Sequence, residues 1–214
     1  MKESDRYDVS GLPEAQFEPG SDRKVLRNLL GIHSTKTMDN AEAKALEIAT
    51  DELIRTVDAG HRFTAADICR FHKAWLGKIY AWAGSYRQIN ISKDDFPFAA
   101  AAQIPSLMKE FEKNVLRRNT PCNFRERPEV VHALAETHVE LVLIHPFREG
   151  NGRVTRVLST LMALQAGLPL LDFGSISGEK KETYFAAVQA GLDKNYKPME
   201  RLFAEIIERS VAAS

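Results

Sequence analysis

The sequence predicts an all-α domain that carries one small β-hairpin. Of its 214 residues, 44% are hydrophobic, which is enough to bury a core, and at about 150 residues per domain one domain is expected. Seven segments space their apolar residues as helices do, and no regular alternation of strands with helices interrupts them. We expect residues 25–214 to form this domain, with its core at about residues 64–191, behind an irregular lead-in over residues 1–24.

The first two predicted helices have clear start and stop signals. Residues 39–58 place apolar side chains on one helical stripe, and Gly60 ends the pattern. The next helix covers residues 65–80. Thr64 before it and Asp67 in its first turn resemble a capping box, in which each side chain accepts a hydrogen bond from the other residue's backbone N–H. Three aromatic residues of this region are expected in the core: Phe71, Trp75 and Trp82.

Five further segments follow the same rules. Pro128 suits a first helical turn, where a missing N–H costs nothing. Gly167 and Gly191 end the helices before them, and Pro198 opens the last helix. The five predicted ranges are 103–118, 128–144, 151–166, 179–191 and 198–213.

One segment, residues 86–98, breaks the helical pattern. Its apolar side chains alternate around Ile89 and Ile91, a Lys-Asp-Asp sequence at residues 93–95 signals a turn, and Pro97 ends the segment. We expect a small β-hairpin here, called the flap below, on the surface of the helical body. The alternative is an ordinary surface hairpin without a role in function.

Charge and cysteine content exclude some classes of function. The 29 basic and 29 acidic side chains balance, which argues against a general binder of nucleic acid or anionic membranes. Cys69 and Cys122 form no ligand pair for a structural zinc site, so inert thiols are expected. No signal-peptide core lies in residues 1–24, and no window approaches the ~18 apolar residues of a membrane span. We therefore expect a soluble, cytoplasmic protein.

The connection between the fourth and fifth predicted helices concentrates residues that suit phosphate chemistry. It has the sequence IHPFREGNGRVTR over residues 144–156. The Gly-Asn-Gly sequence at residues 150–152 tolerates positive φ, so its backbone N–H groups can form an anion nest at a helix N-terminus. Arg153 and Arg156 lie three positions apart on one helix face, which suits two neighbouring phosphates. These residues indicate a polyphosphate ligand.

Two more side chains of this connection point to a reaction. Glu149 would repel phosphates unless a cation lay between them, and Mg²⁺ is the usual cation there. His145 ends the preceding helix, and its ordinary pKa suits a general base near neutral pH. Each feature alone has a structural explanation, as a histidine before proline, a helix boundary or a solvated arginine face. Their coincidence favours a phosphate site and leaves the reaction open.

Residues 145–156 resemble the signature of Fic-domain (filamentation induced by cAMP) proteins, H-P-F-x-(D/E)-G-N-G-R-x-x-R, at every fixed position. Other stretches are similar to the flanks of that signature. They are Trp82-Ala83-Gly84-x-x-Arg87 with Ile91-Ser92-Lys93 and Phe98, the lead-in around Val25-Leu26-Arg27-Asn28 and Gly31-Ile32, and Asn195-Tyr196-x-Pro198-Met199. The resemblance implies a Fic-type helical bundle with the flap over the active site.

The resemblance also implies an activity, namely a protein adenylyltransferase that moves AMP from ATP to a Ser, Thr or Tyr hydroxyl of a target protein and releases pyrophosphate. By this likeness His145 would take the hydroxyl proton, Glu149 would hold Mg²⁺, and Arg153 would stabilise the departing phosphate as a third catalytic residue. The nucleotide-binding residues would be Phe147, as a core anchor of the loop, with Gly150, Asn151, Gly152, Arg153 and Arg156.

A target protein would dock on the flap. A free strand edge can add a strand from another chain, which places an acceptor hydroxyl near the base with little dependence on side chains. The residues expected to dock the target are Ile89, Asn90, Ile91, Ser92 and Lys93.

Alternative activities stay open at this point. One family relative that transfers phosphate has Lys where Gly152 stands, so this sequence favours AMP transfer over a kinase-like phosphotransferase. Transfer of UMP, GMP or phosphocholine, removal of AMP from a protein, and a silent nucleotide-binding adaptor are the other interpretations.

Regulation can be addressed through a motif of the family. Many Fic proteins are inhibited by a helix with the pattern (S/T)-x-x-x-E-(G/N), and Glu149, the one Glu here followed by Gly or Asn, has no Ser or Thr four residues before it. Three pairs have the Ser-to-Glu spacing but lack the Gly or Asn: Ser10/Glu14, Ser106/Glu110 and Ser175/Glu179. We infer no recognisable inhibitory helix and expect either a small antitoxin that supplies one or restraint by other means.

Overall fold

The computed structural model describes residues 11–93, 96–178 and 180–214. Each of the seven predicted stretches contains a helix, and the mostly helical architecture with one hairpin is confirmed. The helices are Thr35–Thr56 (α1), Ala65–Leu76 (α2), Ile104–Phe111 (α3), Arg117–Asn119 (α4), Arg127–Ile144 (α5), Asn151–Gln165 (α6), Gly174–Ser177 (α7), Lys181–Ala190 (α8) and Lys197–Ala212 (α9), with 3₁₀ turns at Pro13–Ala15, Ala101–Gln103 and Gly191–Asp193.

Some bounds differ from the predictions for identifiable reasons. α1 begins at Thr35 rather than at residue 39, because the Ser34 hydroxyl caps the helix by accepting the Thr37 N–H. α2 ends at Leu76 rather than at residue 80, with Gly77 as its C-cap. The third predicted helix is divided, since a π-helical turn at Glu112–Leu116 joins α3 to α4. The short α7 was not predicted.

The capping box at the start of α2 is present as predicted. The Asp67 N–H donates to Thr64 Oγ1 at 3.2 Å, and the Thr64 N–H donates to Asp67 Oδ2 at 2.8 Å. One residue pair therefore provides acceptors for two backbone N–H groups at this helix end.

The flap is a very short antiparallel hairpin. β1 (Ser92–Lys93) pairs with β2 (Phe96–Pro97), with Ser92 opposite Pro97 and Lys93 opposite Phe96. Asp94 and Asp95, which belong to the predicted turn, lie outside the described residues.

α5 is the central helix of the bundle. Its buried residues lie all round the helix, which is typical of a helix enclosed by others. It packs against α3, α6, α8 and α9. A second, smaller core lies between α1, α2 and the segment around Val25, and it contains Trp75 and Trp82. The predicted core residues Phe71, Trp75 and Trp82 are all buried, as is Cys122, whereas Cys69 is half-buried.

The lead-in is described from residue 11 onwards and is attached to the domain. Phe17 forms an isolated antiparallel bridge with Leu26, and Glu14 is buried. Of the Ser/Glu pairs with inhibitory spacing, Ser10 and Glu179 lie outside the described residues. Among the residues that are described, no helix is both long enough and apolar enough to cross a bilayer.

Candidate active site

A cavity of about 1050 Å³ opens over the connection between α5 and α6. The connection forms its floor, the flap forms one side and α8 forms the other. Flap and α8 touch across the opening, because the Lys93 ammonium lies over the Phe185 ring at 3.3 Å from the ring centroid. The connection that the sequence singled out therefore lines a cavity.

His145 lies at the C-cap of α5 in the left-handed conformation, with φ 52°. Its Nδ1 lies 3.0 Å from the Val142 carbonyl oxygen. Because a carbonyl oxygen only accepts, Nδ1 carries the proton and Nε2 is left as the basic nitrogen of the ring. The imidazole stacks on Phe98 of the flap, with centroids 3.6 Å apart. The helix end and the flap together fix both the tautomer and the orientation of this histidine.

The environment of His145 disfavours its protonated form. Burial lowers the pKa of His145 to about 4, and the charges of Arg87 and Lys93 act in the same direction. This differs from the ordinary value expected from the sequence, because the sequence does not reveal burial beside two cations. The imidazole is neutral at pH 7, which is the form that can accept a proton, and a polyphosphate in the cavity would raise its pKa.

Asn151 holds the connection in its shape. Its side-chain oxygen accepts the Phe147 N–H at 2.8 Å, and its side-chain nitrogen donates to the Phe147 carbonyl at 2.8 Å. Phe147 is fully buried, as expected of a core anchor. Since the Asn151 amide is used within the loop, the contribution of this residue to ligand binding is expected from its backbone N–H.

His72 of α2 supports the connection between α5 and α6 from the core side. It is fully buried, its ring stacks on Phe147 at 3.9 Å, and its Nε2 donates to the Glu149 carbonyl at 3.0 Å. Its Nδ1 accepts the Gly84 N–H at 2.8 Å, so the ring is a neutral tautomer with both nitrogens in use. Burial lowers the pKa of His72 to about 4, which keeps it neutral.

The glycines of the loop have different roles. Of residues 150–152, which all tolerate positive φ, only Gly150 adopts it, with φ 81°, whereas Asn151 and Gly152 lie within α6. A Cβ on Gly150 would lie 2.5 Å from the Trp75 ring, so glycine is required there for space as well. A Cβ on Gly152 would meet nothing nearer than Arg156 Nη2 at 4.0 Å. Gly152 thus leaves room inside the cavity.

The N-terminus of α6 faces this room. The first hydrogen bond of the helix joins the Val154 N–H to the Gly150 carbonyl at 2.9 Å. The N–H groups before it, on residues 151–153, have no carbonyl one turn back to bond, and they add to the positive end of the helix dipole. This is a suitable binding site for an anion.

Arg153 is held by two carboxylates and an aromatic ring. Its Nη1 lies 2.7 Å from Glu42 Oε2, its Nη2 lies 3.3 Å from Glu149 Oε1, and its guanidinium lies 4.6 Å from the centroid of Trp75. Glu149 also accepts the Gly150 N–H at 2.8 Å, and 45% of its side chain is exposed. Glu149 therefore presents a carboxylate at the cavity wall next to the arginine.

Arg156 lines the cavity one helical turn beyond Arg153. Burial lowers the pKa of Arg156, although an arginine stays protonated at neutral pH. Tyr184 of α8 is set beside it by a buried chain of hydrogen bonds: Tyr184 donates to His138 Nε2, and His138 Nδ1 donates to Ser159, each at 3.0 Å. Burial lowers the pKa of His138 to about 3, so this chain contains a neutral histidine.

Arg87 joins the flap to the connection between α5 and α6. It is 1% exposed, and its guanidinium donates to the carbonyls of His145 at 2.8 Å, Ile89 at 2.7 Å and Ala99 at 2.6 Å. Its backbone N–H donates to the Pro146 carbonyl at 2.9 Å. One buried cation thus fixes both ends of the flap to the residue at the centre of the site.

The residues predicted to dock a target lie on the first half of the flap. Only Ser92 and Lys93 belong to a strand, and no third strand pairs with the hairpin in the part of the chain that is described. The carbonyls of Ile89 and Ile91 and the side-chain oxygen of Asn90 already accept hydrogen bonds within the protein. The edge left for a partner is therefore centred on β1.

Sequence reasoning missed the residues that support the site from other helices. Glu42 of α1 and His72 of α2 were not singled out, and Arg87 was noted only as part of a similar motif. A signal for Glu42 was present, because it lies three and four positions before Ala45 and Leu46 and is therefore in phase with the apolar stripe of its helix. A carboxylate on the apolar stripe of a helix is buried and needs a hydrogen-bonding or charged partner.

Comparisons with known proteins find relatives of this chain. The sequence model of the Fic/DOC family matches residues 62–163. Protein adenylyltransferase VbhT of Bartonella schoenbuchensis is 33% identical over 185 residues, and the match covers 86% of this chain but only 37% of VbhT. The probable protein adenylyltransferase Fic of Escherichia coli K12 is 28% identical over 198 residues, and this match covers 90% of the chain and 91% of that protein.

Solved structures share the fold. The BepC protein of Bartonella tribocorum, with bound AMPPNP, superposes with a TM-score of 0.71 at 23% identity, covering 92% of this chain and 97% of BepC. The N-terminal Fic domain of a cell filamentation protein from Bartonella quintana, with bound ADP, gives a TM-score of 0.71 at 26% identity, covering 90% and 94% of the two chains. The predicted domain bounds at residues 25 and 214 stay a prediction.

Proposed function

We propose that the chain, which belongs to the Fic/DOC family and resembles its protein adenylyltransferases, transfers AMP from magnesium-bound ATP to a hydroxyl of a target protein. The observation that carries the proposal is the juxtaposition of a neutral, oriented His145 with a helix N-terminus and two arginines around one cavity. A base for the acceptor and a binding site for a polyphosphate are the two requirements of this reaction.

His145 is the general base of the proposed reaction. Nε2 takes the proton of a Ser, Thr or Tyr hydroxyl while its oxygen forms a bond to the α-phosphorus of ATP. The bond between that phosphorus and the oxygen bridging to the β-phosphate breaks, and pyrophosphate leaves with the electron pair. The hydrogen bond from Nδ1 to the Val142 carbonyl keeps the ring in the required tautomer throughout.

The phosphates lie over the N-terminus of α6. Backbone N–H groups of Asn151, Gly152 and Arg153 bind phosphate oxygens, and the absence of a side chain at Gly152 leaves the space they need. Arg153 stabilises the charge that develops on the departing β-phosphate, and Arg156 binds the γ-phosphate. Phe147 contributes as the buried anchor that keeps the loop in place.

Glu149 is the proposed ligand of Mg²⁺. Within the described residues there is no group of three or more His, Cys, Asp or Glu side chains that could hold a metal ion by itself. One carboxylate completed by phosphate oxygens and waters is the usual arrangement for Mg²⁺, so the exposed Glu149 at the cavity wall fits this ion. When bound, Mg²⁺ would neutralise phosphate charge and orient the α- and β-phosphates.

The target docks on the flap by strand addition. Ser92 and Lys93 form the edge strand, and Ile89, Asn90 and Ile91 lead into it. The stacking of Phe98 on His145 connects this edge to the base, so a chain paired with β1 brings its hydroxyl to the cavity. The ATP that the reaction consumes supports the predicted cytoplasmic location.

A small partner protein, acting as an antitoxin, is proposed to restrain the activity with an acidic helix. The cavity wall contains Arg153, Arg156, Lys93 and Lys181, and this positive lining suits a carboxylate from another chain. Co-expression with a neighbouring small reading frame should rescue growth if the chain is toxic. Absence of both rescue and a complex would contradict the proposal.

Labelled ATP tests the activity. Incubation of the protein with a lysate should label proteins from α-³²P-ATP and not from γ-³²P-ATP, whereas a phosphotransferase gives the opposite result. His145→Ala should lower transfer by roughly 10²–10⁴-fold while an unreactive ATP analogue still binds. The exposed His33 provides a matched control, because His33→Ala should transfer at the wild-type rate. Equal labelling by His145→Ala and wild type would reject the assigned base.

A further inference from the structure

Glu42 makes a buried contact with the catalytic arginine from a helix outside the matched family region. It lies on α1, ahead of residues 62–163, and its side chain is 5% exposed. Its Oε2 lies 2.7 Å from Arg153 Nη1, and its Oε1 accepts the Tyr80 hydroxyl at 2.7 Å. Both carboxylate oxygens of Glu42 are therefore engaged, one of them by the arginine assigned to the leaving group.

The surroundings of Glu42 fix its position. Trp75 Nε1 donates to the Glu42 backbone carbonyl at 2.8 Å, and the same indole lies under the Arg153 guanidinium. Burial and the hydrogen bond to Glu42 raise the pKa of Tyr80, which keeps its hydroxyl a donor. Trp75 and Tyr80 belong to the second core, so the carboxylate is held by packed side chains and not by a mobile segment.

The position of Glu42 lets it orient Arg153 without competing with a phosphate for the cavity. Arg153 lines the cavity, whereas Glu42 does not belong to the cavity wall formed by the described residues. The guanidinium has five N–H donors in a plane, so Nη1 can bind Glu42 while the donors that Glu42 and Glu149 do not use face a phosphate. Glu42 therefore restricts the rotation of Arg153 without occupying the space of the ligand.

We propose that Glu42 is a positioning residue for adenylyl transfer, which holds the Arg153 guanidinium in the orientation needed by the departing pyrophosphate. The inference rests on the proposed function for its kinetic consequence, but the restriction of Arg153 is a property of the protein alone. A donor oriented before the reaction stabilises developing charge without first losing rotational freedom. Ground-state affinity for ATP depends less on this orientation, because removing a nearby carboxylate also makes the site more positive.

The test is a double-mutant cycle with Glu42→Gln and Arg153→Ala. Glu42→Gln should lower kcat by roughly 10- to 100-fold, with KM for ATP unchanged or lower. In the Arg153→Ala background the same change should alter kcat by less than about two-fold, because the residue acts through the arginine. Glu47→Gln, which removes a charge from an exposed position of the same helix, should leave kcat at the wild-type value.

Three kinetic outcomes would overturn the proposal. An unchanged kcat in Glu42→Gln would show that orientation is not required, and a raised kcat would identify Glu42 as an inhibitor of the site. Losses that multiply in the double variant would indicate a structural role independent of Arg153. If Glu42→Gln fails to fold, Tyr80→Phe replaces it, since it removes one hydrogen bond from the carboxylate, and a smaller loss of kcat that vanishes with Arg153→Ala is expected.

A second measurement separates this inference from the proposed function. NMR of the arginine ¹⁵Nε group reports rotation about the Nε–Cζ bond, which a bound carboxylate slows. Glu42→Gln should speed this rotation for Arg153 by about ten-fold, and Glu47→Gln should not change it. If wild type transfers no AMP but rotation responds as expected, the proposed function fails and the positioning contact stands. An unchanged rotation rate would refute the contact whatever the activity.

Discussion

Replacement of Arg87 by methionine should destabilise the protein and detach the flap from the connection between α5 and α6. The guanidinium is 1% exposed and donates to three carbonyls, those of His145, Ile89 and Ala99. A hydrogen bond to a charged group contributes about 1.5–3 kcal/mol. Because the Ile89 and Ala99 carbonyls can regain water once released, their bonds count only in part, and we expect the free energy of unfolding to fall by about 3–5 kcal/mol. For a domain of this size that corresponds to a decrease in Tm of roughly 6–20 °C.

Calorimetry and urea unfolding measure this loss directly. Arg27 is exposed, so Arg27→Met serves as the matched control and should change the free energy of unfolding by less than about 0.5 kcal/mol. A decrease in Tm below about 2 °C for Arg87→Met would refute the reasoning, because three carbonyls would then have lost a charged donor at no net cost.

The same substitution should alter the pH dependence of transfer. The Arg87 charge lowers the pKa of His145, so its removal raises that pKa and moves the acid limb of kcat/KM to higher pH, while Lys93 and burial still act in the original direction. A pH–rate profile of Arg87→Met beside wild type gives the sign of the shift. An acid limb that moves to lower pH would contradict the assignment of His145 as the base.

The remaining predictions concern the loop glycines, acid stability and the metal. Gly150→Ala should lower the free energy of unfolding by about 1–2 kcal/mol because of the positive φ, and by more because of the contact with Trp75. Gly152→Ala should raise helix stability by up to about 1 kcal/mol yet weaken binding of an ATP analogue. Calorimetry of both variants checks this contrast. Three buried histidines have pKa values depressed below 6.5, so the unfolded state binds protons that the folded state does not, and stability is lost as pH falls from about 6.5 towards 4. At pH 5 each of these histidines should lower the free energy of unfolding by about 2 kcal/mol, and unfolding should take up about three protons. The pH dependence of the free energy of unfolding measures both. The three are His72, His138 and His145. Glu149→Gln should raise the Mg²⁺ concentration for half-maximal transfer by roughly ten-fold or more, and an unchanged Mg²⁺ titration would exclude Glu149 as the ligand.

Local sequence features predicted the helices and the flap well, because each depends on residues close together in the chain. The Thr64 and Asp67 capping box is such a feature, and it is present as predicted. The bounds were less accurate where an unrecognised residue decided them, as Ser34 does by capping α1. The division of the third helix by a π turn depends on packing and has no local signal that we recognised.

The candidate site was predictable only in its contiguous part. Residues 145–156 were found because they adjoin one another in the sequence. Their supports come from positions far away in the chain: Glu42 and Trp75 hold Arg153, and Arg87 holds His145. No spacing rule connects these residues, because their proximity results from how α1, α2 and the flap pack on α5 and α6.

The sequence by itself determined which chemistry we propose for this protein, since a candidate base, a carboxylate, a helix end suited to anions and two arginines occur together in one short segment. It also determined the helical architecture, because periodicity and caps are local. Only the tertiary structure decided the state of these groups. Burial set the pKa of His145, the Val142 carbonyl set its tautomer, and packing placed the buried Glu42 carboxylate against Arg153. Desolvation and hydrogen-bond geometry depend on neighbours in space, and the linear order of residues does not specify them.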